Sequence, residues 1–303
     1  MNQVKIVTHN GNFHVDDVFA VASLCLLHND NVEITRSRDE HIIVSADIVV
    51  DAGMVYDPDK NRFDHHQKGG AGQRDNGVFY SSFGLVWKKF GNEICGDERI
   101  ASDIDKRLVM SIDAYDNGIE VTERVREDYP FRYSIFDIIK AFRPTWEEST
   151  EADFTDAFMQ TVVFAKQVIK KEIKKLEATF KAEAYVESLY ETAEDKKIII
   201  IDPYAPWEDV IAKKSEPLFV IYPSLATKGG WCGEVVRDDP AVFTSNRISF
   251  PQSWAGKENE DFVETAGVKD AVFAHRRGFL VVARSKEAVL ELVTKALLAG
   301  ERR

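Results

Sequence analysis

The alternation of short β-branched segments with helical segments constrains this chain more than any other feature of its sequence. The run VKIVT at residues 4–8 is typical of a strand, and residues 16–28 are apolar at nearly every position, as in a buried helix. Three more strand-like segments follow: VEITRSR, ADIVVDAG and NRFDHH. Strands that alternate with helices predict an α/β domain with a mostly parallel sheet.

The remainder of the chain predicts helices and a second domain. Helical patterns occupy residues 80–91 and 97–118, and apolar residues spaced three and four apart predict one long amphipathic helix from about 153 to 192. Strand-like runs and a capped final helix then follow, at 196–202, 217–223, 270–283 and 285–300. We therefore predict an N-terminal domain, a connecting helix and a smaller C-terminal α/β domain, with bounds 1–150, 151–194 and 195–303.

The charge balance bears on possible partners. Lys and Arg number 39 and Asp and Glu number 51, so the formal charge is −12. Sequence-independent binding to nucleic acid depends mostly on Lys and Arg, and this composition disfavours it. An anionic substrate would need local help from metal ions or from a basic cleft.

Other sequence features disfavour several classes of protein. The three cysteines are scattered, which predicts a reducing compartment and no disulfide framework. The chain shows no secretory leader and no apolar run of about 18 residues, so we expect a cytoplasmic protein without a membrane span. Gly-rich nucleotide loops and the G-x-S-x-G pattern are missing, which disfavours dinucleotide and serine-hydrolase chemistry.

Histidines and aspartates are concentrated where predicted elements end. Four of the seven histidines lie in two short segments, THNGNFHVDD and FDHHQ, each beside aspartates. Loops at the carboxyl ends of parallel strands bring such side chains together. The candidate residues are His9, His14, Asp16, Asp51, Asp64, His65, His66, Asp113 and Asp116.

Imidazole together with carboxylate suits Mn²⁺, Fe²⁺ or Zn²⁺, whereas oxygen ligands alone suit Mg²⁺ or Ca²⁺. Two such ions bridged by a carboxylate can activate water and clamp the oxygens of a phosphoryl group, and Asp51 is the candidate bridge. Taken singly, His14 also suits a helix start beside acids, and the pair His65-His66 suits a surface. The joint placement of these residues at strand ends favours a metal site.

Five segments, in their order along the chain, resemble a known family: THNGNFHVDD, VVDAG, FDHHQ, SSFGLVWKKFG and SIDAYDNG. The family is that of the melanocyte-proliferating-gene exonucleases, a branch of the DHH phosphoesterases. FRPTW, PYAPW, ISFPQSW and AVFAHRRGF extend the resemblance over nearly the whole chain. The resemblance implies a DHH-type catalytic domain and a Mn²⁺- or Mg²⁺-dependent hydrolase with about two ions per chain.

The resemblance also implies roles for single residues. The metal ligands would be His9, His14, Asp16, Asp51, His65 and Asp116, with Asp113, one helical turn earlier, as the alternative to Asp116. Asp64 would support the ligands, and His66 would donate a hydrogen bond to the substrate phosphate. In the C-terminal, substrate-binding domain, His275 and Arg276 would contact that phosphate, although they also suit an ordinary strand end.

Two departures from the pattern bear on these roles. His14 stands where the wider superfamily has aspartate, with one extra residue in the spacing, which leaves open how the ligands divide between two ions. In the C-terminal domain, Gly278-Phe279-Leu280-Val281-Val282 replaces a glycine pair, and Ala255 stands where arginine often follows the tryptophan. Both changes remove candidate contacts to substrate phosphate.

Three hypotheses follow from the sequence. The first is a two-metal phosphodiesterase or exonuclease that hydrolyses single-stranded RNA or short oligonucleotides. The second is a small-molecule phosphohydrolase acting on pyrophosphate or a nucleotide, which the charge of −12 slightly favours. The third is a regulatory protein that binds metal or nucleotide without turnover.

Overall fold

The computed structural model describes residues 2–119, 126, 132–148, 150–226, 228–242 and 244–300. The chain divides into two compact units, Met1–Leu176 and Glu177–Arg303. The boundary falls inside the long helix rather than in a loop, so this helix contributes residues to both units. The separate roles predicted for the two domains stay predictions.

The first unit is built on a twisted sheet that contains, within the described residues, five strands. These are β1 (Val4–Thr8), β2 (Val32–Arg36), β3 (Ile48–Val50), β4 (Tyr56–Asp57) and β5 (Arg62–Phe63). Their order is β2-β1-β3-β5-β4, and every neighbouring pair is parallel except β4 with β5. The predicted mostly parallel sheet is confirmed.

Helices cover this sheet. They are α1 (Val15–Leu27), α2 (Glu40–Ser45), α3 (Ser82–Cys95), α4 (Glu98–Ile104), α5 (Met110–Asp116) and α6 (Ile135–Ala141). A π-helical turn at Asp105–Val109 joins α4 to α5, so the helix predicted at 97–118 is essentially continuous. Helix α1 is buried from Val15 to Cys25 because apolar residues occupy nearly all of its faces, and Phe19 packs against Phe83 of α3.

Helix α7 (Glu151–Thr192) is the predicted long helix, and it is more than a connector. Its first half places Phe158, Val162 and Ile169 in buried positions, and the Phe158 ring lies 5.7 Å from that of Phe13. Its second half places Val186 in a cluster with Ile199 of the second unit. Both cores therefore depend on residues of α7.

The second unit holds another five-stranded sheet among its described residues. Its elements are β6 (Ile198–Ile200), α8 (Glu208–Ile211), β7 (Phe219–Pro223), β8 (Trp231–Val235), α9 (Asn259–Ala266), β9 (Ala271–Ala274), β10 (Leu280–Ala283) and α10 (Lys286–Gly300). The order is β6-β7-β8-β10-β9, and only β6 and β7 run parallel. None of the described helices is long and apolar enough to cross a membrane.

Candidate metal centre

Strand register aligns three of the predicted residues at one edge of the first sheet. Thr8 of β1 pairs with Val50 of β3, and Val50 pairs with Phe63 of β5. The next residue on each strand is His9, Asp51 or Asp64, so these three follow the sheet in one row. Parallel strands thus bring together residues that are distant in sequence.

The start of α1 supplies a second set of side chains. Exposed His14 occupies the N-cap position, and Asp17 accepts a hydrogen bond from its backbone N–H at 2.8 Å, as in a capping box. The carboxylates of Asp16 and Asp17 are fully buried in the first helical turn. The positive end of the helix dipole stabilises acids at this position.

Asp51 lies at the centre of the site. Its Oδ1 is 3.4 Å from His65 Nε2 and 3.3 Å from His66 Nδ1, and its Oδ2 is 3.3 Å from His9 Nε2. Ser82 Oγ donates a hydrogen bond to Oδ1 at 2.9 Å and fixes the carboxylate. One carboxylate therefore contacts three imidazoles from two chain segments that are distant in sequence.

Three overlapping groups of side chains among the described residues have the compactness that a metal ion requires. They are His9, His14 and Asp51; Asp51, His65 and His66; and His14, Asp16 and Asp116. In each group the ligand atoms lie within 4.8 Å of one another. All six residues predicted as the main ligands are included, and Asp51 and His14 each belong to two groups.

Asp16 gives the clearest sign that a cation fits here. Both of its carboxylate oxygens are buried and have no hydrogen-bond partner among the described residues. Burial and the nearby charges of Asp51 and Asp116 raise the pKa of Asp16 well above its ordinary value. His65 Nε2, at 3.9 Å from Oδ2, is too far for a hydrogen bond. Because a buried carboxylate without hydrogen bonds is costly, a divalent ion bound by these oxygens would relieve that cost.

Nearby carboxylates also raise the pKa values of two imidazoles, because negative charge stabilises the protonated ring. Burial alone would lower the pKa of His9, but Asp17 and Asp51 raise it to about 10. Asp51 and Asp64 likewise raise the pKa of His66 to about 10. Burial opposes ionisation of Asp51, yet His65, His66 and His9 hold its pKa well below the usual range. Metal binding to these residues would therefore displace protons.

Asp64 and His66 form a connected pair. Asp64 Oδ1 accepts a hydrogen bond from the His66 backbone N–H and lies 2.9 Å from His66 Nδ1, while Oδ2 accepts one from the Met54 backbone N–H. The geometry is compatible with the supporting role predicted for Asp64. His66, predicted to face substrate, is 52% exposed but also lies within one of the compact groups.

Asp113 is placed differently from Asp116. Asp116 Oδ2 lies 3.3 Å from His65 Nε2, whereas Asp113 belongs to none of the three compact groups. The carboxylate of Asp113 instead accepts hydrogen bonds from the side chains of Arg74 and Ser81 and from the Gly84 backbone N–H. Among the described residues, the ligand geometry thus includes Asp116 and omits Asp113.

His275 and Arg276 lie in the turn between β9 and β10 of the second unit. The His275 backbone N–H donates to the Leu280 carbonyl, and the Arg277 backbone N–H donates to His275 Nδ1 at 3.2 Å. The Arg276 side chain is exposed. Slight burial and the positive charges of Arg276 and Arg277 lower the pKa of His275. The substrate contact predicted for this pair stays a prediction.

Two cavities flank the metal-ligand cluster, and His14 and His66 line both of them. The first, of about 710 Å³, is bounded by α2 and the β3–β4 turn. The second, of about 590 Å³, is bounded by α5 and α6 and includes Lys140 and Arg143. Arg143 Nε is buried without a hydrogen-bond partner among the described residues. A ligand on the cluster would thus have space on either side.

The sequence did not reveal two residues that lie against the candidate ligands. Asp17 Oδ2 lies 3.2 Å from His9 Nε2, and Ser82 binds Asp51. The doubled acid in HVDD was a usable signal, because a helix N-cap needs only one acid at its third position. Ser82 lies in SSFGLVWKKFG, one of the segments that resemble the family, but that segment by itself is an ordinary helix start and does not indicate a contact with Asp51.

Comparison with known proteins gives matches along almost the whole chain. The model of a family described as Uncharacterised protein family (UPF0160), under the name MYG1 exonuclease, matches residues 5–297. The chain is 30% identical over 332 residues to a MYG1 protein of Schizosaccharomyces pombe, with 98% of each chain covered. It is 29% identical over 324 residues to the MYG1 exonuclease of Homo sapiens, covering 97% of this chain and 85% of that protein.

Proposed function

The chain belongs to the MYG1 exonuclease family (UPF0160), and from that premise we propose that it is a metal-dependent phosphodiesterase, an exonuclease that hydrolyses single-stranded RNA or short oligonucleotides. The observation that carries the proposal is the cluster around Asp51, with the two unpartnered oxygens of Asp16. We also propose that the protein acts in the cytoplasm.

The residues that would hold the metal are His9, His14, Asp16, Asp51, His65 and Asp116, and about two ions suit such a set. When bound, manganese or magnesium would supply Lewis acidity toward a phosphoryl oxygen and toward water. Asp51 is the proposed bridge because it lies in two of the compact groups and, unlike His14, offers two carboxylate oxygens. Ser82 orients Asp51, and the Asn10 carbonyl accepts a hydrogen bond from His9 Nδ1, which leaves Nε2 facing the cluster.

His66 is the proposed catalytic donor. Its ring is half exposed and borders both cavities, and Asp64 fixes its orientation from one side. Without metal, the carboxylates of Asp51 and Asp64 raise the pKa of His66 to about 10, and Asp64 stays 2.9 Å from His66 Nδ1 whether or not Asp51 binds an ion. A protonated imidazole at this place donates a hydrogen bond to a phosphate oxygen or to a leaving group.

Lys140 and Arg143 support a phosphate-containing substrate. Both line the second cavity, which also includes Asp116 and His65 of the cluster. Cations placed here offset the negative charge of the whole chain locally, and Arg binds phosphate through several N–H groups. A small phosphate substrate is the second candidate, because the net charge of −12 is less suited to a long strand.

The proposal is tested by comparing three substrates with purified full-length protein and Mn²⁺. We expect release of nucleotides from a labelled single-stranded RNA to be faster than hydrolysis of pyrophosphate or of a generic phosphodiester. Chelation should abolish release, and metal analysis should find about two ions per chain. The variant His65→Ala should lose metal, whereas His41→Ala, an exposed histidine outside the compact groups, should retain it. Activity that survives chelation would contradict the proposal. So would purified protein, supplied with Mn²⁺, in which metal analysis finds no bound ion.

A further inference from the structure

The larger of the two flanking cavities has an apolar wall that metal binding does not explain. Val44 of α2 is 77% exposed, and Met54 and Val55 of the β3–β4 turn are 59% and 47% exposed. All three line the cavity, together with Ile43. Single exposed apolar residues are ordinary, but these come from two elements and converge on one space beside the cluster.

The wall is held in place by the cluster itself. Asp64 Oδ2 accepts a hydrogen bond from the Met54 backbone N–H at 2.7 Å, and the same carboxylate contacts His66. Met54 has a φ of 57°, in the left-handed region that few side chains other than glycine adopt. A strained turn kept beside a candidate active site suggests that the exposed side chain of Met54 has a use there.

The charged residues of the cavity indicate where a phosphate would approach. Lys60 pairs with Asp57 at 2.9 Å, and Arg62 donates to the carbonyls of Ala46 and Lys60. Among the described residues, Arg38 of this cavity has no ion-pair partner. The cavity therefore combines apolar side chains with the Arg38 guanidinium and the imidazoles of the cluster.

We propose that this cavity is a nucleoside-binding subsite, in which Val44, Met54 and Val55 contact the base of the nucleotide whose phosphate lies on the cluster. Its volume of about 710 Å³ is enough for one nucleotide, since ligand sites commonly span about 300–1,000 Å³. Apolar side chains stack on bases in nucleotide-binding pockets. Pyrophosphate has no apolar group that could contact these side chains.

This inference rests on the proposed function, but its test needs no turnover. Calorimetry on full-length, Mn²⁺-loaded protein would compare adenosine 5′-monophosphate with ribose 5-phosphate, which lacks the base. We expect the mononucleotide to bind at least about tenfold more tightly, because the base would bury apolar surface against Val44, Met54 and Val55. Equal affinities would overturn the subsite, whereas failure of hydrolysis alone would affect only the proposed function.

Variants locate the base contact. Val44→Ser combined with Met54→Gly should remove most of the preference for the mononucleotide and change the affinity for ribose 5-phosphate less than about twofold. Glycine at position 54 suits the backbone and keeps the N–H that Asp64 binds. Val163→Ser, at an exposed valine of α7 outside both cavities, is the matched control. If the double variant still prefers adenosine 5′-monophosphate over ribose 5-phosphate, the base does not contact these side chains.

A variant that should bind the mononucleotide more tightly complements the double variant, because a misfolded protein would not gain affinity. Val44→Trp offers an aromatic platform at an exposed position where the larger side chain has space. It should strengthen binding of adenosine 5′-monophosphate several-fold and leave ribose 5-phosphate unchanged. Unchanged or weaker binding of the mononucleotide by this variant contradicts the proposed wall.

Discussion

Asp51 carries its side chain on a backbone that few aspartates adopt. Its φ is 53°, in the left-handed region, directly after the buried strand β3. Asp and Asn tolerate this conformation better than other residues with a side chain. From this position the carboxylate lies within 3.4 Å of three imidazoles.

Replacing Asp51 by Asn removes the negative charge of the side chain and keeps its shape. Asparagine tolerates the same φ and keeps an oxygen that accepts from Ser82, so the fold should remain intact. Because an amide cannot bridge two cations as a carboxylate does, metal content and activity should fall together, activity by at least about a hundredfold. Metal analysis and rate measurements check this, with exposed Asp59→Asn as control. Normal turnover with full metal content would place the bridge elsewhere.

The candidate ligands could be predicted residue by residue because each follows a strand or begins a helix. Strand ends are visible in VKIVT and ADIVVDAG, so His9 and Asp51 could be placed at a sheet edge. The choice between Asp113 and Asp116 could not be made, since both lie on one helix and their partners come from distant segments. Arg74, which pairs with Asp113 at 2.7 Å, gives no sign of this in its own sequence neighbourhood.

At the scale of elements, helices α3 and α5 meet at a glycine. A Cβ built on Gly84 would lie 2.4 Å from both carboxylate oxygens of Asp113. The Gly84 backbone N–H also donates to that carboxylate. The helices can approach so closely only because position 84 has no side chain, and Ser81 and Ser82 at the start of α3 are thereby fixed near Asp113 and Asp51.

Gly84→Ala should therefore destabilise the protein despite the higher helix propensity of alanine. The buried Asp113 carboxylate is held by Arg74 and Ser81 and cannot move aside freely. We expect the free energy of unfolding to fall by about 1–3 kcal/mol, as for other overpacked sites. Denaturant titration measures this. Glu93→Ala, exposed on the same helix, should cost less than about 0.5 kcal/mol. Equal stability of both variants would show that α3 shifts without cost.

Long periodic elements and most β-branched strands were predictable, whereas strand β8 was not. Helices α7 and α10 follow apolar spacing over many residues, and the structure has them nearly at the predicted bounds. Strand β8 was not predicted, because Gly233 and Glu234 interrupt the apolar and β-branched pattern that is typical of a strand. Gly233 is needed because α10 packs against it: a Cβ there would lie 2.9 Å from Val289. Tertiary packing, rather than local preference, selects that residue.

At the scale of the whole molecule, we expect the second unit to contribute to substrate binding through His275 and Arg276. Replacing both His275 and Arg276 by alanine should raise KM by about 10- to 100-fold, since a charge-assisted hydrogen bond contributes about 1.5–3 kcal/mol. Metal content should be unchanged. His66→Ala should instead lower kcat at saturating substrate. Arg277→Ala, the exposed neighbour, is the matched control. Unaltered kinetics in the double variant, or loss of metal, would remove these residues from substrate binding.

Helix α7 has a consequence for how this protein can be divided. Phe158, Val162 and Ile169 complete one core, and Val186 completes the other, within a single uninterrupted helix of 42 residues. A break at residue 150 would strip the first unit of its own apolar residues, and a break near residue 192 would do the same to the second. The two halves are therefore poor modules for recombination, and a relative that exchanged one of them would have to inherit the matching part of the helix with it.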